Sequence, residues 1–123
     1  MPHAEFVTTL FDDQRNPNKV TVAFTMGVNA LLRGHTANII LFAEAVVLGK
    51  PDAMADIDIG APFEPVPALL RQYLEKGGRI VVCKSCMLHN GLDEKDIDSR
   101  YEIFAAPEVI DALMNAKGSL QIS

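Results

Sequence analysis

The chain has no tryptophan, and only two of its 123 residues are cysteine. Two cysteines cannot build the multiply cross-linked framework that small secreted domains use in place of a large core. No apolar run approaches the ~20 residues that a membrane helix needs. Positive charge is also scarce. Lys and Arg total 11 against 16 Asp and Glu, for a formal net charge of −5. Nucleic acid and anionic membranes both require clustered Lys and Arg, so neither is expected as a partner. Glycine-rich phosphate loops are missing too. There is no G-x-x-x-x-G-K-[ST] and no G-x-G-x-x-G after the first strand, and no cofactor is expected. The start, Met1-Pro2-His3-Ala4-Glu5, lacks a basic stretch followed by an apolar one. That predicts a cytoplasmic protein.

What is present is an ordinary globular balance, 49% hydrophobic and 22% charged. The length suits one domain, residues 1–123, around a single core. Both cysteines fall in one short stretch, Val81-Val82-Cys83-Lys84-Ser85-Cys86. It follows an apolar run and precedes a segment able to turn helical. A strand feeding a helix places its last residue at the carboxyl edge of a sheet, where open α/β folds carry their sites. A sulfur there faces the first free N–H groups of the helix, which favour the thiolate, the reactive form of cysteine. The bland alternative is a pair of half-buried thiols packed as small hydrophobes.

The remaining pattern alternates. Phe6 to Phe11 reads as a first strand and Asp12 to Asn18 as a polar loop. Asn16 is placed to cap a helix with Pro17 at its first position, and Val20, Ala23, Phe24, Gly27, Ala30 and Leu31 recur on one face. Ala37 to Phe42 is a second strand, with a short helix from Glu44 to Leu48. Residues 49–67 hold Pro51, Pro62, Pro65 and Pro67, yet also Ile57, Ile59, Phe63 and Val66. So long a loop in a compact domain is functional or packs against something. Its apolar residues predict an exposed patch for self-association and a cover over the thiol from Ile57 to Phe63. A helix from Pro67 to Lys76 and a third strand from Arg79 to Cys83 follow. A helical turn spans Met87 to Asn90, and another turn Asp93 to Ile97. Tyr101 to Phe104 is a weak fourth strand. A helix from Pro107 to Ala116 is expected to turn Val109, Ile110, Leu113 and Met114 inward. Gly118 to Ile122 is a fifth strand. Strands alternating with helices predict an α/β fold with a mostly parallel five-stranded sheet and helices on both faces.

Other residues near the cysteines admit both plain and chemical roles. Lys84 is a solvated loop lysine or a cation supporting a thiolate, and His89 is an exposed helix-end residue or a proton donor. Asp12 and Asp13, at the end of the first strand, serve the loop and cap or hold a cation. Zinc fits poorly, since His3, His35 and His89 stand at no recognisable spacing from the two cysteines. A thioredoxin-type reading of C-x-x-C expects the motif after the first core strand, not the third.

Taken together, several pieces resemble the DsrE/DsrF-like family, the sulfur-relay proteins related to the Tus proteins. They are the Asp-rich loop and helix from Asp12 to Leu32, Arg33-Gly34-His35 leading into a strand ending Leu41-Phe42, and Ala43-Glu44-Ala45-Val46 after it. Leu70 to Gly78, then Ile80-Val81-Val82-Cys83 with Gly91-Leu92 beyond, complete the likeness. The resemblance implies a flavodoxin-like αβα sandwich assembled as a homo-trimer or homo-hexamer. It also implies that Cys83 accepts sulfane sulfur as a persulfide and passes it on, with Cys86 an additional thiol that some members have. The expected function is therefore a sulfur carrier or sulfurtransferase. Its site is Cys83 and Cys86, and its partners are sulfur donor and acceptor proteins or small sulfane compounds. The alternatives are a non-catalytic oligomeric binding module, or a redox sensor in which the two cysteines interconvert between dithiol and disulfide.

Overall fold

In the computed structural model, which describes residues 3–123, five strands form one sheet. They are β1 (Phe6–Leu10), β2 (Ala37–Leu41), β3 (Arg79–Cys83), β4 (Glu102–Phe104) and β5 (Gly118–Ile122). The order across the sheet is β4-β3-β2-β1-β5, and every neighbouring pair is parallel. Four helices connect them: α1 (Pro17–Leu32), α2 (Val66–Glu75), α3 (Lys84–His89) and α4 (Ala106–Met114). Two 3₁₀ segments, Ala43–Gly49 and Glu94–Asp96, complete the described elements. The likeness to flavodoxin is one of layers, not of strand order.

The strand order decides which face each helix covers. From β1 to β4 the chain steps one strand at a time in the same direction, so right-handed crossovers put α1, α2 and α3 on one face. The return from β4 to β5 crosses back over β3, β2 and β1, which sends α4 to the other face. The two cores agree. Val20, Phe24, Leu69, Tyr73 and Met87 pack with Leu10, Ile39, Leu41, Ile80 and Val82 on the first face. On the second, Val109 and Ala112 pack with Val7, Ile40 and Val81. One face is thus thickly covered and the other carries a single helix.

That single helix is rotated from its expected setting. Val109 and Ala112 are buried and Leu113 packs beside them, whereas Ile110 and Met114 are 58% and 79% exposed. Seeking the largest residues selects Ile110 and Met114. The helix instead turns Val109, Ala112 and Leu113 to the sheet, and Ala116 packs beside them just past its end. The long loop also departs from expectation. Ile57 and Val66 are buried in the main core, tied by the Val66 N–H donating to the Ile57 carbonyl at 2.9 Å. They belong to the interior and not to an exposed patch; only Ile59 and Phe63 stay partly open.

Tyr73 locks the thick face to the start of β3. It is fully buried, meets Phe24 edge-on at 5.8 Å between centroids, and its hydroxyl donates to the Arg79 carbonyl at 2.7 Å. Burial pushes the phenol pKa well up, so it stays a donor at any ordinary pH. Gly27 and Gly78 make the slot for its ring. A Cβ on Gly78 would stand 2.5 Å from the ring, and one on Gly27 would stand 2.8 Å from it. Both distances are too short for real contacts. Arg79 then opens β3 and forks onto Glu102 of β4, with two hydrogen bonds of 2.6 Å. Because the Tyr73 ring is held at both ends, it cannot swing aside for an added methyl. We expect Gly78→Ala to destabilise the fold by about 1–3 kcal/mol, the usual cost of overpacking. A fall in the urea midpoint with an unchanged slope would show it.

Candidate functional site: a thiol pair at the carboxyl edge of the sheet

Cys83 is the last residue of β3 and stands immediately before α3. Alternation along a strand assigns its side chain a face. Val81 packs in the α4-side core, so Cys83, two residues on, points to that face as well. Its neighbours there are aromatic. Phe104 is its register partner on β4. On the other side Leu41 pairs with Val82, which sets Phe42 beside Cys83. Phe42 stacks in turn on Phe11, with centroids 5.0 Å apart and planes 12° from parallel. The sulfur therefore sits in a row of phenylalanines at the mouth of the thinly covered face. Cys83 is 8% exposed, with Phe42 and Phe104 beside it in the strand register.

The helix that follows does less for Cys83 than its position suggested. Among the described residues its side chain makes no capping hydrogen bond to the N–H groups of α3. With φ −68 and ψ 119 its backbone is extended and continues the strand. Lys84 and His89 both lie exposed on α3.

Cys86 is one helical turn on, partly buried, and packs against the opposite core. Both thiols are free, and Cys83 is near enough to Cys86 to act on its ionisation. Burial raises the Cys86 pKa above the ordinary thiol value. The backbone N–H of Ala43 acts against that by favouring the thiolate, and the neighbouring Cys83 raises it further. Ala43 has an unusual backbone. Its φ of +49° lies in the left-handed region, which costs a non-glycine residue about 1–3 kcal/mol.

The 3₁₀ segment Ala43–Gly49 packs against β3 and α3. Ile57, expected in a cover over the thiol, is buried in the main core.

The other candidates resolve into supporting roles. Asp13 accepts from the Arg15 backbone at 2.9 Å and from its guanidinium at 3.0 Å, and Arg15 holds its carboxyl below the usual range. Asp12 accepts from Asn16 at 2.8 Å and pairs with Lys19 at 3.2 Å. Asn16 does stand at the helix cap, but its side chain is spent on Asp12. Asp12, Asp13, Arg15, Asn16 and Glu44 line a cavity of about 310 Å³ at the same carboxyl edge. Among the described residues, no three His, Cys, Asp or Glu side chains gather where an ion would be held. Sequence reasoning missed Phe42, Phe104 and Ala43. Phe42 and Phe104 were legible as strand residues, but their place beside Cys83 needs the strand order. Nothing in the sequence marks an alanine for a left-handed backbone.

The aromatic row makes a direct prediction. Phe42→Ala and Phe104→Ala should each speed alkylation of Cys83 several-fold, because each opens one side of the approach. The rate is read by quenching iodoacetamide reactions over time and following the Cys83 peptide by mass.

This arrangement matches known proteins over almost its full length. The model of the DsrE/DsrF-like family matches residues 9–121. No curated relative matches the chain. Among solved structures, YchN from E. coli superposes with a TM-score of 0.75 at 13% identity, covering 95% of this chain and 97% of that one. MTH1491 of Methanobacterium thermoautotrophicum, a protein of unknown function, gives 0.68 at 11% identity over 94% and 97%. BT1422 of Bacteroides thetaiotaomicron, a conserved protein of unknown function, gives 0.65 at 21% identity over 96% and 95%. These likenesses share the fold, with the layers and parallel sheet described above. Together with the family match, they establish that the chain belongs to the DsrE/DsrF-like family.

Proposed function

We propose that this protein carries sulfane sulfur as a persulfide on Cys83, as a member of a sulfur relay. The observation that carries the reading is the thiol pair itself. Cys83 ends β3 at the site-bearing edge of the sheet, and a second free thiol interacts with it there. The family membership supports a sulfur-relay role in general terms.

In the loading step the Cys83 thiolate attacks the outer sulfur of a donor persulfide. The donor's sulfur–sulfur bond breaks, its thiolate leaves, and the outer sulfur remains on Cys83. Thiolate fraction and access set the rate of such exchange. Phe42 and Phe104 limit access to the bound sulfur and shelter it from small oxidants. Release then follows one of two balanced routes. An acceptor thiolate takes the outer sulfur and frees Cys83. Alternatively, the Cys86 thiolate attacks the inner sulfur, hydrosulfide leaves, and a Cys83–Cys86 disulfide remains for a thiol reductant to reopen.

The assembly we infer is a homo-trimer or homo-hexamer, working with protein or small-molecule sulfur donors and acceptors. Leu88 of α3 and Ile110 and Met114 of α4 are large exposed apolar residues and support such contacts. A second reading, reversible dithiol–disulfide switching without sulfur transfer, is favoured by the same closeness of the two thiols.

Cys83→Ser should abolish sulfur uptake. Cys86→Ser should load normally but release no hydrosulfide on its own. Each variant is incubated with a persulfide donor and weighed intact. Uptake by Cys83→Ser together with failure of Cys86→Ser would reverse the two roles. Failure of the wild type to load with any donor would leave the redox reading in its place.

A further inference from the structure

Asn90 follows α3 directly and is exposed, yet its side-chain nitrogen has two partners. Its amide nitrogen donates to the Cys86 carbonyl at 2.8 Å, within its own helical turn. The same nitrogen donates at 3.3 Å to the carbonyl of Ala43, 47 residues away in sequence. Ala43 is the residue at φ +49°, and it opens the 3₁₀ segment that packs on α3. A left-handed alanine persists only where its surroundings hold it. The Ala43 peptide is held on both sides of the residue. The carbonyl is held by Asn90, whose amide bridges it to the Cys86 carbonyl and so sets Ala43 against the Cys86 turn; the Ala43 N–H favours the Cys86 thiolate.

We propose that Asn90 is a positioning residue: it clamps Ala43–Gly49 to α3, so that the Ala43 N–H stays on the Cys86 sulfur and readies that thiol to resolve a persulfide on Cys83. The last step rests on the sulfur-carrier reading; the clamp itself does not. The chemistry balances without further reactants. Cys86 thiolate bonds to the inner sulfur on Cys83, the bond to the outer sulfur breaks, and its electron pair leaves as hydrosulfide. The N–H stabilises the attacking thiolate against the burial that disfavours it. The ionisable groups on the elements around Cys86 are Lys84 and His89 of α3, Glu44 of the 3₁₀ segment, and Cys83 and Arg79 of β3, the last at the strand's far end and paired with Glu102. The first three are exposed, and Cys83 is the one that bears on the Cys86 sulfur.

The test uses Cys83→Ser as background, where Cys86 is the sole thiol. Its iodoacetamide reaction is followed against pH, and folding is checked by urea unfolding. Asn90→Ala should move the profile upward by about one pH unit, since losing a donor to a charged group costs the thiolate about that much. Asn90→Ser is the sharper variant. A serine hydroxyl still reaches the carbonyl four residues back in its own turn but does not span to Ala43. It should shift the profile as alanine does, and it carries the test if Asn90→Ala does not fold. With Cys83 restored and loaded from a persulfide donor, both variants should release hydrosulfide about tenfold more slowly than wild type. An unmoved profile in Asn90→Ser overturns the clamp. If the wild type takes up no sulfur, the carrier reading fails, while the alkylation profile still decides the role of Asn90.

Discussion

Right-handed crossover between parallel strands governs the placement of everything else in this protein. All five strands run the same way, so all their carboxyl ends share one edge, and Cys83 is at that edge because β3 ends there. Since β1 to β4 are laid down in one direction, three helices fall on one face and one on the other. Cys83 points toward the face with one helix. On the thin face the strand register sets Phe42 and Phe104 beside it, and side chains can move where a packed helix cannot.

The thiol pair spans the two faces. Cys83 belongs to the α4 side, while Cys86 packs against the main core, and Cys83 is near enough to act on the ionisation of Cys86. Two environments thus act on neighbouring sulfurs. Burial disfavours the charge on Cys86, and a backbone N–H opposes that in part. That N–H comes from a residue held in a strained conformation by contacts from α3. Strain of this kind is stored where surrounding contacts over-determine the backbone, and here it lies within the site itself.

Much of this was legible in the residues. Alternation of apolar strands and periodic helices yielded the α/β class, and the position of Cys83 at a strand end followed from Ile80-Val81-Val82 before it. The Pro17 start of α1 and the Gly77-Gly78 stop of α2 are local signals with local causes. The failures are tertiary. Ile110 and Met114 look inward by size, but α4 turns Val109, Ala112 and Leu113 to the sheet. Ile57 and Val66 look like patch residues in a proline-rich loop, but each finds a place in the core because the loop folds back on itself. Strand order leaves no local trace in the sequence, so the phenylalanines around Cys83 could not be placed. The N–H groups of α3 seemed the natural partners for the Cys83 sulfur, yet the donor that matters faces Cys86 and comes from Ala43.

The central claim is that the sulfur of Cys83, at the end of β3, is where this protein holds transferred sulfur. The most direct measurement is a peptide map of the wild-type protein after exposure to a persulfide donor, with its thiols blocked before digestion. The account predicts the mass of one additional sulfur on Cys83, in a peptide shown by fragmentation to carry Cys86 unmodified. Additional sulfur on Cys86 alone, or two unmodified cysteines after every donor, would contradict it.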